Sequence, residues 1–193
     1  MRIRELAIAA SLSVVAFALA VGFTRQAIGE NAPAIQQSKL KGHAGELVRI
    51  VRESTKRFHD VRQAEAEGYH LLFGCVSGPD DGAMGLHYVN MALVGDGVLD
   101  PRRPEIVIYE PLPNGGRRLI GADFLVFAEA WHASSQATPE LGGQLMHLID
   151  SPNRYGLPSF YTLHVWAWKP NPTGAFVNWH SDVSCEQFDG AEG

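Results

Sequence analysis

Apolar positions change their spacing along the chain. Between residues 44 and 67, Leu47, Val48, Val51, Phe58 and Val61 recur three and four apart. Arg49, Arg52, Lys56, Arg57 and Arg62, mixed with Glu46, Glu53 and Glu65, fall away from that stripe. This spacing predicts one long amphipathic helix, and Gly68 supplies its stop. From Tyr69 onward the apolar residues cluster in short β-rich runs separated by Gly, Pro, Asn and Asp. Residues 86–93, 105–111, 118–127 and 160–168 read as strands. Pro113-Asn114-Gly115-Gly116 is a turn that joins the second and third as a hairpin, and Asp100-Pro101 and Arg103-Pro104 mark the loop before them. A meander of this kind makes an antiparallel sheet. Residues 129–133 and 141–148 read as short helical turns, and 175–179 as a fifth short strand. The expected class is α+β, with one long N-terminal helix packed on a curved, barrel-like antiparallel sheet. Residues 44–193 form one domain in this reading. Residues 30–43 carry no apolar period, are broken by Gly42, and read as a linker.

The first 29 residues have a different pattern. Arg2 and Arg4 precede an uncharged, mostly apolar run from residue 6 to 23, followed by Ala27-Ile28-Gly29. A basic start, an apolar middle and small residues before a cut describe a secretory signal peptide. The apolar run also reaches the lower limit for a spanning helix, so an uncleaved anchor is the alternative. Either reading places the remainder outside the cytoplasm, in the periplasm, the cell envelope or the extracellular space, with membrane contact only through this segment. The net charge is −5, and becomes −7 once residues 1–29 are removed. An acidic domain has no general attraction for nucleic acid, and the basic pairs Lys56-Arg57, Arg102-Arg103 and Arg117-Arg118 are too scattered to track phosphates. Only Cys75 and Cys185 are present. In an oxidising space they pair as a disulfide; the alternative is a pair of thiolate ligands for copper or zinc.

Motifs for phosphate-binding loops, zinc proteases, serine hydrolases and CxxC redox sites are missing. What interrupts the apolar strands is polar: His87, Glu110 and His164. Side chains alternate faces along a strand, so a curved sheet can turn these three into one cavity. Two histidines and a carboxylate make a donor set for zinc, copper or iron. His180 is a candidate fourth ligand, with His147 and Glu129 as further candidates. Tyr88, Tyr109 and Trp166 would enclose the pocket and raise the Glu110 pKa by burial. The same groups suit acid–base chemistry without metal. Aromatic residues between 160 and 179 offer an apolar lining for an organic ligand. Non-covalent haem is a further option, and the absence of CxxCH excludes covalent attachment.

Gly68-Tyr69, Cys75-Val76, Met84-Gly85-Leu86-His87-Tyr88-Val89-Asn90, Pro104-Glu105, Tyr109-Glu110-Pro111 and Leu163-His164-Val165-Trp166-Ala167-Trp168 together resemble a group of exported bacterial proteins with no established activity. The resemblance spans roughly residues 47–185. It implies a bacterial source and a discrete domain, and it transfers no function. The sequence therefore predicts an exported protein that binds a metal ion or small ligand at a His/carboxylate pocket. A metal-dependent or acid–base enzyme using that pocket is the second reading, and an envelope interaction module without pocket chemistry is the third.

Overall fold

The computed structural model describes residues 32–78 and 80–190. The expected signal segment lies outside these residues. Six strands form one antiparallel sheet in the order β1-β2-β3-β4-β8-β7, curled into a half-barrel. They are β1 (His70–Ser77), β2 (Ala83–Val89), β3 (Ile106–Pro111), β4 (Arg117–Phe127), β7 (His147–Ile149) and β8 (Phe160–Val165). A two-residue pair, β5 (Glu140–Leu141) and β6 (Gln144–Leu145), stands apart. The α+β class and the curved sheet are as expected, and the β3–β4 hairpin turns at Pro113–Gly115.

The single long helix is not what forms. Helix α1 (Ala32–Thr55) begins inside the expected linker and runs through Gly42. A 3-10 turn, Lys56–His59, then separates it from α2 (Val61–Ala66). The break has two local causes. The Phe58 carbonyl accepts the Tyr109 hydroxyl at 2.7 Å, which ties it to the sheet. Asp60 is extended and caps α2, accepting from the Arg62 amide; an Asp side chain that satisfies a free N–H favours a helix start over a helix interior. Three further expectations give way. Residues 70–77 form an edge strand that the sequence reading passed over, residues 141–148 are short strands rather than a helical turn, and 175–179 is not a strand. The strand expected over 86–93 ends at Val89, where Asn90 caps a one-turn helix α3 (Met91–Val94), and the expected turn near 129–133 is α4 (Ala128–His132).

The two faces of the sheet carry different loads. Leu47 and Val51 of α1 pack on Ala122, Phe124, Val126, Leu163 and Val165. Phe58 and Ala64 pack with Tyr88 and Tyr109. The alternate residues of the same strands, including His87, Asp123, Thr162 and His164, point into the hollow of the half-barrel.

Irregularities produce the curl. In β1, Leu72 pairs with His87 and Cys75 pairs with Leu86, so Phe73 and Gly74 are extra residues, both at positive φ. In β4, Ile120 is extra between the partners of Ile108 and Tyr109. Bulges bend a strand and increase its twist. At Gly121 a Cβ would lie 2.6 Å from the Val165 carbonyl, so only glycine lets β4 and β8 approach this closely.

The chain after β8 works as a strap across the open side. Trp166 Nε1 donates to the Val177 carbonyl, and Ala83 and His180 exchange backbone hydrogen bonds. The Cys75–Cys185 disulfide then fixes the strap to β1, with a sequence separation of 110. Such a bond fits an oxidising, non-cytoplasmic compartment. Among the described residues, no helix is long and apolar enough to cross a membrane.

Closing a loop of this length stabilises a chain by roughly 4–5 kcal/mol on the entropic model, before native strain is subtracted. Cys75→Ala/Cys185→Ala, or the wild type under reductant, is expected to unfold several degrees lower in a thermal melt. An unchanged midpoint would show that packing alone holds the strap.

Candidate metal centre

His87 sits mid-strand on β2, with its neighbours fixing its chemistry. Its Nδ1–H donates to the Gly85 carbonyl at 3.0 Å. A carbonyl only accepts, so the proton is on Nδ1 and Nε2 keeps its lone pair. That lone pair faces His164 Nε2 at 3.4 Å. Holding one ring nitrogen on a backbone carbonyl is how metal-ligating histidines are oriented. Gly85 makes this possible: it has φ +95, and a Cβ there would meet the Tyr109 carbonyl at 2.6 Å.

His164 lies on β8 directly opposite Asp123 of β4. Its Nδ1 is 3.7 Å from Asp123 Oδ1, beyond hydrogen-bond range, and is buried without a partner. Asp123 Oδ1 accepts from Thr162 Oγ1 at 2.6 Å and from the Leu163 amide at 3.1 Å. These bonds hold the carboxylate in place. His87, Asp123 and His164 each offer a ligand atom, and the three atoms lie within 4.8 Å of one another. All three residues are buried, so the group is able to hold a metal ion.

Burial sets the protonation of this cluster. It lowers the His87 pKa to about 4, helped by the neighbouring His164, and lowers His164 to about 3. It raises Asp123 to about 6, against the opposing pull of the Thr162 hydroxyl and of His87. Both imidazoles are therefore neutral at pH 7, the form that binds metals. A second buried acid, Glu105, lies near. Its Oε2 accepts from the Leu125 amide at 3.0 Å, replacing a ladder partner at the start of β3, and burial pushes its pKa up to about 8.

Beside the cluster is a cavity of about 40 Å³. Its polar lining is His87, Asp123, Thr162, His164 and Asn178; Phe73, Met84, Leu125 and Phe160 are among the apolar walls. Asn178 comes from the strap, and its side-chain amide is buried beside His164.

Of the four residues expected to bind metal, the structure brings together His87 and His164. Glu110 shares their face of the sheet by alternation but lies farther along β3, opposite Arg118. Arg118 and Lys169 both donate to it, Lys169 at 2.7 Å. Burial alone would raise its pKa; these two cations outweigh that and hold it below the usual range, contrary to the rise expected from enclosure by aromatics. His180 is also elsewhere. Its Nδ1 accepts from the Asp182 amide and its Nε2–H donates to the Pro170 carbonyl, so both nitrogens are committed. His147 and Glu129 are exposed, on β7 and α4. Tyr88 and Tyr109 face the helices, on the opposite side of the sheet from His87. Trp166 stacks on His164, with ring centroids 6.1 Å apart, without lining the cavity. Asp123 was missed, although it is the one charged residue between 119 and 127 and so met the criterion that singled out His87.

Comparisons with protein-family models, with characterised proteins and with solved structures find no match for this chain.

Glu105 makes a pH prediction. Its folded pKa of about 8 exceeds the ordinary 4.5, so between these values the folded state holds a proton that the unfolded chain has lost. Stability must then fall as pH rises, by up to about 1.4 kcal/mol per unit for one proton. Buried histidines whose pKa lies below the ordinary 6.5 add an opposing rise near pH 6.5, common to wild type and variant, so the Glu105 contribution is read as the difference between them. In denaturant melts the stability of the wild type should fall relative to that of Glu105→Gln between pH 6.5 and 8. Equal slopes would refute the assignment.

Proposed function

We propose that the protein binds one transition-metal ion, zinc, copper or iron, through His87 Nε2, His164 and the Asp123 carboxylate. The observation that carries this reading is the pair of Nε2 atoms 3.4 Å apart, one of them locked as a lone pair by the Gly85 carbonyl. Two nitrogens each about 2.1 Å from one ion at a tetrahedral angle stand roughly 3.4 Å apart. With Nε2 as ligand, the His164 proton moves to Nδ1, and the Asn178 side-chain amide beside it lines the same cavity. Charge supports the same conclusion. Asp123 is buried, and none of the residues lining the cavity is Lys or Arg. A divalent cation offsets the cost of an ionised carboxylate there. The disulfide supports placing this function in an oxidising space outside the cytoplasm, as an exported protein.

Elemental analysis of untagged protein prepared without chelator should find close to one equivalent of a single transition metal. His87→Ala/His164→Ala should lose it, Asp123→Asn should weaken it at least tenfold, and Glu110→Gln should retain it. Far-ultraviolet circular dichroism of each variant checks the fold. A metal-free wild type, even after incubation with excess zinc, copper(II) or iron(II), would end this reading.

A further inference from the structure

The room beside the three donors is small and one-sided. A cavity of about 40 Å³ has room for an ion and a small ligand beside it. Past the donors the walls are Phe73, Met84, Leu125, Leu157 and Phe160. Against these walls a charged ligand would lose hydration that few groups replace. A neutral molecule of two atoms loses almost nothing. One wall is also held at a conformational cost. Phe73 has φ +66, in the left-handed region that side chains disfavour, and its ring packs edge-on against Tyr155 at 5.4 Å. Strain of this kind persists where surrounding structure over-determines it, and it clusters at ligand sites. Three protein donors are moreover fewer than the four to six that zinc, copper or iron take, as in centres with positions open to ligand.

We propose that the His87–Asp123–His164 centre keeps a coordination position open toward this cavity, and that the cavity admits a neutral diatomic molecule of the size of dioxygen while excluding ligands as large as an imidazole ring. This rests on the metal-binding reading above; Leu157, a half-buried wall of the cavity, is the side chain whose truncation would widen it.

The test uses the full chain loaded with iron(II) under anaerobic conditions and freed of unbound metal, with nitric oxide as probe. Nitric oxide should convert the EPR-silent iron to a half-integer-spin signal that integrates to the bound iron. In the cobalt(II) form, imidazole should leave the visible spectrum of the wild type unchanged. In Leu157→Ala it should shift the spectrum, at concentrations at least tenfold below any that act on the wild type. Failure to take up iron, cobalt, zinc and copper alike overturns the metal-binding reading itself, whereas failure with iron and cobalt alone overturns only the open position. Uptake with no nitric oxide signal leaves that reading standing and overturns the open position. Wild-type binding of imidazole, or a Leu157→Ala spectrum indifferent to it, overturns the size limit.

Discussion

Everything at this site depends on how far the sheet is bent. His87 and His164 stand on β2 and β8, with β3 and β4 between them. In a flat sheet three strand spacings put their backbones about 14 Å apart with side chains parallel, too far for imidazoles to meet. Here the ring nitrogens are 3.4 Å apart. The difference is made by backbone irregularity: two extra residues in β1, one in β4, and glycine where β4 meets β8. The strap then closes the hollow that the curl opens. Each of these features departs from regular strand geometry, and together they bring residues far apart in sequence into one cluster.

Charge decides which carboxylate is free for a ligand. Glu110 and Asp123 both project from strands toward the hollow. Glu110 is at the rim, where Arg118 and Lys169 reach it and satisfy both oxygens. Replacing those bonds with a metal ion would strand two cations. Asp123 is deeper and is met by a hydroxyl and backbone amides, which supply hydrogen bonds without net charge. Such an environment positions a carboxylate while leaving its charge uncompensated, and a cation gains most where no other cation is already bound.

Much of the architecture was legible in the sequence, because short, continuous, β-rich apolar runs with a proline–glycine turn between them leave few alternatives. Residues 106–111 and 117–127 follow that pattern, as does the disulfide of the only two cysteines. The helix break at 56–60 was not legible, because its cause is a tyrosine hydroxyl fifty-one positions away that captures the Phe58 carbonyl. The first strand was hidden by its bulge, which puts Phe73-Gly74 in the left-handed region and erases the alternation. At the site, the two histidines could be read as polar interruptions of strands. Asp123 gave the same signal between Ala122 and Phe124, and pairing arithmetic alone could not place it opposite His164. Tyr88 is a different case. It follows His87 directly, so strand alternation already assigned it to the other face.

The disulfide has a topological consequence as well. The ring it closes runs from Cys75 to Cys185 and contains His87, Glu105, Asp123, His164 and Asn178. A protease outside the cytoplasm meets exposed backbone inside that ring, for instance at 136–138. One cut there yields two polypeptides that remain a single covalent molecule, with His87 and Asp123 on one and His164 and Asn178 on the other. The centre would thus be split between two chains without losing a member, and would come apart only when the cut chain met a reductant.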